Sequence, residues 1–324
     1  MLIENNILQK KALEDQNVRV FFGQKNSYFI TKDNIIDLYL KIPVLVHEYT
    51  ENLLLHPGCI YQKLGFYVIE SADRLAGVLI KEVTFPLEQS AYEIYLNFLE
   101  LTKDWNLFRI WNYVPYINEE TEGLENYKSF CKGRSLAFEK FYGQNFNVKL
   151  PAASAVGIND NKFVLYFIGG QAPTTHIENP EQIPAFYYPS QYGPRSPSFA
   201  RGTLVKQNGK RVGYLSGTAS IKNHASVTLR NISEQFHTTF DNMRLVFERM
   251  GFLETMNYYG SLPDPAKYDR TFKVYIRHQE DADYIQKLFA QSIWASEDDH
   301  IIYLQADICR SELDIEIEAI ISER

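Results

Sequence analysis

Two long stretches that read as helices, one from its apolar period and one from its end signals, each set between short runs of strand-forming residues, restrict the fold more than any other feature of this chain. Residues 87–102 carry Leu87, Ala91, Ile94, Tyr95, Phe98 and Leu101 along one helical face. Residues 233–250 form the second, with Ser233 as its expected start and Gly251 as its C′ residue. Two further helices are expected. One spans 121–141, with Thr121 as N-cap and Leu124, Tyr127, Phe130, Leu136, Ala137 and Phe141 as apolar positions. The other spans 280–294. Strand-like runs occupy 18–30, 66–70, 75–83 and 107–114 in the first half, with a turn at 71–74. In the second half they occupy 152–158 and 163–168 around the turn Asn159-Asp160-Asn161, then 199–206 and 211–216 around Gln207-Asn208-Gly209-Lys210, a hairpin signal. Runs at 271–277, 301–308 and 313–321 follow.

Each half thus gives strands, a helix, a strand, a helix and a closing strand. This is an α+β pattern in which helices cover one face of a mixed sheet. The order occurs twice, so two similar domains are expected, 1–150 and 151–324, with the pattern restarting at Leu150-Pro151. The length of 324 residues agrees with two domains of about 150 residues each. The first 15 or so residues are polar and are expected to be poorly ordered or an edge element. Residues 171–198, rich in proline and tyrosine, form a long segment with little periodicity, and such segments are commonly functional.

A net charge of −7 argues against nucleic acid as a partner, since phosphate binding needs a basic surface. A small anionic ligand stays compatible, because a few arginines make a local positive site. The three cysteines, Cys59, Cys131 and Cys309, form neither a disulfide framework nor a CxxC zinc motif. With no signal-peptide pattern at Met1-Leu2-Ile3-Glu4 and no apolar run of about 18 residues, a cytoplasmic protein with no membrane association is expected. GxGxxG after a strand, a P-loop, HExxH and GxSxG are all missing, and the seven histidines lack ligand spacing. No cofactor and no metal are therefore expected.

Four places are candidates for chemistry. In the last strand, side-chain alternation puts Leu313, Ile315, Ile317 and Ala319 on one face and Asp314, Glu316, Glu318 and Ile320 on the other. The second face is either solvated, or it carries a glutamate into a cleft where desolvation lets it donate a proton. Tyr192-Gly193-Pro194-Arg195-Ser196-Pro197-Ser198-Phe199-Ala200-Arg201 sets two arginines on a turn-rich loop. They are either exposed or a bidentate carboxylate site. Ser216-Gly217-Thr218-Ala219-Ser220 ends a strand with residues small enough for a ligand to approach the backbone, or forms a bulge. Gly133 inside a helix points to close packing or a kink there, and Arg134 follows it. Cys309 after an apolar strand is by default a small core residue.

Together these motifs resemble the chorismatase family. In the first half the resemblance rests on Trp111-Asn112-Tyr113-Val114-Pro115-Tyr116-Ile117-Asn118, Gly123-Leu124-Glu125-Asn126-Tyr127 and Gly133-Arg134. In the second half it rests on Glu178-Asn179-Pro180, Gln191 to Arg201, Ser216 to Ile221, Cys309-Arg310 and Ile315-Glu316-Ile317-Glu318. The final third is also similar to a RidA (YjgF) domain, through Ser216-Gly217, the helix ending at Gly251 and the terminal run Ile315 to Ala319. The resemblance implies two RidA/YjgF-like (chorismate-mutase-like) domains, no cofactor, and chorismate as substrate, its enolpyruvyl group leaving as pyruvate. It implies Glu316 as the acid, Arg134, Arg195 and Arg201 as carboxylate ligands, Tyr192 on the ring substituents, and Thr218 and Ala219 at the substrate. Cys309 favours 3-hydroxybenzoate as product, alone or with some 4-hydroxybenzoate, whereas Ala219 is closer to the members that form a dihydroxycyclohexadiene carboxylate. A RidA-type imine deaminase is the alternative enzyme, but the strand at 301–308 lacks the arginine that holds the carboxylate in RidA proteins. A non-enzymatic ligand-binding protein is the other alternative. Either a monomer or a homotrimer is compatible with two such domains in one chain.

Overall fold

The computed structural model describes residues 16–23, 25–31, 35–46, 50–54, 58–227, 231–253, 266–292 and 296–324. Two large mixed sheets face each other. The first has six strands in the order Ala152–Ile158, Asn106–Pro115, Lys162–Gly170, Arg74–Glu82, Phe66–Glu70, Cys59–Lys63. The second has seven, in the order Thr174–Ile177, Gly202–Gln207, Lys210–Ala219, Ile315–Glu323, Tyr268–Ile276, His300–Gln305, Val44–Val46. Helices α1 (Leu87–Thr102) and α2 (Asn126–Tyr142) cover the outer face of the first sheet. Helices α3 (Ile232–Arg249) and α4 (Ala282–Gln291) cover the outer face of the second. The α+β architecture with helices on one face of each sheet is the one the periodicity predicts.

Three apolar layers hold this arrangement. Ala91, Ile94, Phe98, Phe130 and Phe138 pack on Phe66, Leu165 and Phe167 beneath α1 and α2. Phe236, Phe240, Met243 and Phe247 of α3 pack on Phe272, Ile315 and Ile317. Burying each such side chain fully contributes about 1.5–3 kcal/mol. The third layer lies between the sheets and is rich in aromatics, with Trp111, Tyr113, Tyr166, Tyr214 and Tyr275. Gly133 sits where α2 crosses α1, and a Cβ there would overlap the Glu88 carbonyl oxygen. The glycine inside the helix therefore marks close packing.

Residues 16–54 add a feature that the periodicity does not show. Gln16–Phe22, Ser27–Ile30, Ile36–Leu40 and Glu51–Leu54 make a small separate sheet, while Val44–Val46 leaves it to pair with His300–Gln305 at the edge of the second large sheet. The expected single run at 18–30 is thus two strands, which do not pair with each other.

Several boundaries shift for local reasons. α2 begins at Asn126, and Thr121 is not its cap. Glu120–Thr121 and Leu124–Glu125 instead form a tiny hairpin through Glu122 and Gly123, whose φ values are +52° and +81°. α3 begins one residue earlier than expected because Asn231, not Ser233, is the N-cap, its Oδ1 accepting from the Glu234 amide at 3.1 Å. Gly251 takes the left-handed conformation of a C′ residue, with φ +76°. Trp294, expected at the end of α4, lies outside the described residues, as does the segment before Gln16. Ala152–Ile158 pairs in parallel with Asn106–Pro115, and Lys162–Gly170 lies on the far side of that strand. Both strands complete the first sheet. The chain therefore changes sheet after residue 170 rather than at 150/151, which would cut that sheet.

Candidate active site

The last strand decides where chemistry sits. Its polar face is turned not to solvent but to the first sheet, where Glu316 is 4% and Glu318 3% exposed. Glu318 is fully partnered. It accepts from Arg109 Nη2 and Trp111 Nε1, each at 2.7 Å, and from Ser154 Oγ, and pairs with Lys273 at 2.7 Å. Lys273 in turn reaches Glu51 at 2.9 Å and the Tyr166 hydroxyl at 2.8 Å. Burial alone pushes the Glu318 carboxyl up, but Lys273 and Arg109 outweigh it and hold the group below its ordinary value. Lys273 is held well above its ordinary value, because Glu318 and Glu51 outweigh the effect of burial.

Glu316 is the opposite case. Its Oε1 is buried and has no hydrogen-bond partner among the described residues. Burial, then the neighbouring Glu318 charge, push its pKa up to about 8, partly offset by Arg109 and Arg201. At neutral pH it is a carboxylic acid. Gly217 on the adjacent strand makes room for it, since a Cβ there would overlap Glu316 Oε1. Ala219 is its direct cross-strand partner.

Glu316 borders a cavity of about 140 Å³. Three arginines line it from three different elements. Arg134 on α2 is 3% exposed. One guanidinium nitrogen donates to the Ser198 carbonyl, Nε has no partner, and the group lies 5.5 Å from the ring centroids of both Tyr95 and Phe130. Arg201, just before Gly202–Gln207, donates to the Tyr188 hydroxyl at 2.6 Å and likewise leaves Nε unpartnered. Arg310 lies 4.0 Å from the Tyr192 ring centroid and donates to Ser226 Oγ and the His224 carbonyl, each at 2.9 Å. The Tyr192 hydroxyl is 3.0 Å from His224 Nδ1. Cys309 completes the wall, half-buried, its thiol pushed far above the ordinary value by burial and then by Glu316, so it is a thiol and not a thiolate.

Of the residues singled out from sequence, Glu316, Cys309, Arg134, Tyr192, Arg201 and Ala219 meet at this cavity. Two do not. Arg195 turns away to pair with Glu139 of α2 and borders a different depression. Thr218 points to the other side of its strand and donates to the Ser216 carbonyl at 2.8 Å, as strand alternation requires when Gly217 and Ala219 face the cavity. The sequence reading missed Arg310, Tyr188, Ser154 and Gly217 as site residues. Arg310 and Gly217 stand inside motifs already noted. Tyr188 lies in the aromatic segment 171–198. Ser154, in a plain run of small residues, has no sequence signal.

A buried carboxyl group and three guanidinium groups line one cavity, a setting suited to a small anionic ligand. The comparisons agree with that class. Residues 63–169 match the family described as Chorismatase FkbO/Hyg5-like, N-terminal. The chain is 35% identical over 239 residues to the 3-hydroxybenzoate synthase of Streptomyces hygroscopicus, covering 70% of this chain and 67% of that protein. It is 32% identical over 223 residues to a chorismatase of Streptomyces rapamycinicus, covering 67% of this chain and 64% of that protein. A chorismatase crystal structure superposes with a TM-score of 0.83 and 26% identity, covering 95% of this chain and 93% of that one. The chain belongs to the chorismatase family.

Proposed function

We propose that this protein converts chorismate to pyruvate and 3-hydroxybenzoate. The observation that carries this reading is Glu316, an unpartnered carboxylic acid facing a cavity with three arginines. Chorismate presents two carboxylates and an enol ether. Arg134, Arg201 and Arg310 supply the cations for the carboxylates. Tyr188 and Tyr192 supply hydroxyls for the ring substituents.

In this mechanism Glu316 gives its proton to the methylene carbon of the enol ether. The carbon between the resulting methyl group and the ether oxygen becomes an oxocarbenium centre, and the bond from the oxygen to the ring carbon breaks, its electron pair going to the oxygen, which leaves as the keto oxygen of pyruvate. The Glu316 carboxylate that results sits near Arg109 and Arg201, whose charges favour its ionised form. Without water, the neighbouring ring hydroxyl shifts to the vacated ring carbon and one ring proton returns to the Glu316 carboxylate, which leaves 3-hydroxybenzoate, whereas addition of one water leaves a dihydroxycyclohexadiene carboxylate. We assign the choice to the cavity wall at Cys309. A protonated thiol is a weak hydrogen-bonding group and holds water poorly, which favours aromatisation over hydration.

The test is incubation of the purified protein with chorismate, with pyruvate assayed enzymatically and the ring product identified by chromatography. Pyruvate with 3-hydroxybenzoate supports the full reading. Pyruvate with the dihydroxydiene retains the acid chemistry and rejects the product assignment. No pyruvate rejects the reading.

A further inference from the structure

The segment from Ala306 to Asp314 carries both Cys309 and Arg310 to the cavity and has no strand or helix of its own. Its backbone carbonyls need partners, and a single side chain from outside the cavity serves three of them. Arg277 stands just past the end of Tyr268–Ile276. Its Nε donates to the Leu313 carbonyl at 2.8 Å, and its Nη2 donates to the Arg310 carbonyl at 2.9 Å and the Ile308 carbonyl at 3.4 Å. Its Nη1 donates to Asn118 Oδ1 at 3.0 Å and pairs with Asp307. The Arg277 amide donates to the Asp314 carbonyl at 2.9 Å, and Asn118 Nδ2 donates back to the Ile308 carbonyl at 3.0 Å.

We propose that Arg277 is a positioning residue that fixes Cys309 and Arg310 in the active site by binding the carbonyls on both sides of them and tying the segment to Asn118 in the turn that follows Asn106–Pro115. The fork geometry is essential. One planar guanidinium serves three carbonyls, an amide oxygen and a carboxylate at once, whereas the ammonium of lysine is a compact point charge that cannot span them. The link to Asn118 matters because Arg134 reaches the cavity from the first sheet's helix layer while Arg310 and Glu316 come from the second. Arg277 therefore sets the distance between the two cationic walls as well as the place of the thiol. This inference rests on the proposed chorismate reaction for its kinetic consequence, but not for its structural one.

The experiment compares wild type with Arg277→Lys, which keeps the charge beside Asp307, and with Asn118→Ala, which removes the Asn118 bonds to Arg277 and to the Ile308 carbonyl and leaves the Gly157 amide on the Asp307 carbonyl. Each is measured for KM, kcat, the ratio of ring products and the rate of Cys309 alkylation by a neutral maleimide, read by peptide mapping so that Cys59 and Cys131 are separated. Thermal unfolding is recorded alongside. Arg277→Lys is expected to fold, to lose roughly 10- to 100-fold in kcat/KM through misplacement of the cavity groups, to shift the product ratio, and to alkylate Cys309 severalfold faster. Asn118→Ala is expected to change the same quantities in the same direction, less strongly. Unchanged alkylation and product ratio in a folded Arg277→Lys variant, with activity falling only as the folded fraction falls, would overturn the proposal. If wild type releases no pyruvate but Arg277→Lys still exposes Cys309, the clamp stands and the chorismate reading falls.

Discussion

Glu316 and Glu318 stand two residues apart on one face of the same buried strand, yet one is a carboxylic acid and the other a carboxylate. The difference lies wholly in their partners. Glu318 meets Lys273, Arg109, Trp111 and Ser154, while Glu316 Oε1 meets none. The charge that Lys273 and Arg109 stabilise on Glu318 is itself one reason the neighbouring acid keeps its proton.

Replacing the acid removes the reaction and spares the fold. Glu316→Gln keeps the shape of the side chain and removes the transferable proton. Pyruvate release is expected to fall by about 10²–10⁴-fold, the range typical of a lost general acid, with unfolding in urea unchanged or shifted to slightly higher concentration. A variant that retains more than a tenth of the wild-type rate would remove Glu316 from the mechanism.

The pH dependence has a definite sign. Turnover is expected to hold on the neutral side and to fall as pH rises through about 8, where Glu316 loses its proton. Stability follows the same group. Between its ordinary value of 4.5 and about 8 the folded protein keeps a proton that the unfolded chain has lost, so this group makes stability decline as pH rises through that window. Glu318 acts in reverse, because its folded value lies below its ordinary one, and its contribution is lost as pH falls. Urea titrations of wild type and Glu316→Gln from pH 5 to 9 isolate the first effect, which should vanish in the variant.

Glu318→Gln is expected to be costly for stability rather than neutral. It leaves Arg109 buried without its carboxylate partner and Lys273 with Glu51 alone, and breaking a buried pair from one side costs about 3–5 kcal/mol. Glu316 loses its anionic neighbour at the same time, so the alkaline limb of the rate profile should move to lower pH. A variant as stable as wild type, with the same profile, would refute both points.

The arginines are expected to separate by place and not by motif. Arg201→Met removes a cavity cation and should raise KM at least tenfold, consistent with hydrogen bonds to charged groups being worth about 1.5–3 kcal/mol. Arg195→Met, ten-residue motif notwithstanding, removes a partly exposed pair with Glu139 and should leave KM within about twofold, at a stability cost of about 0–1 kcal/mol. Steady-state kinetics on the two variants decide it.

Much of this was legible in the order of residues. Apolar period located α1, end signals located α3, and alternation put Glu316 and Glu318 on one face of the last strand. Family motifs brought Glu316, Cys309, Arg134 and Arg201 forward, and all four border the cavity. Those signals work because helix and strand periods are local, set by backbone geometry within a few residues.

What alternation left open was whether the acidic face meets water or protein, and only the second sheet's approach to the first settled it. Arg109, Trp111 and Ser154 come from strands about 160–210 positions away from Glu318, so no local pattern could announce them as its partners. The same holds for the loop arginines. Arg195 and Arg201 share one motif, but the course of an irregular segment has no period, and the packing of α2 turned the first toward Glu139 and left the second at the cavity. The sequence by itself determined which elements form and which side chains are ionisable. Tertiary structure decided which of them keep their protons, because desolvation and charge pairing depend on what the two sheets bring within about 4 Å of each group.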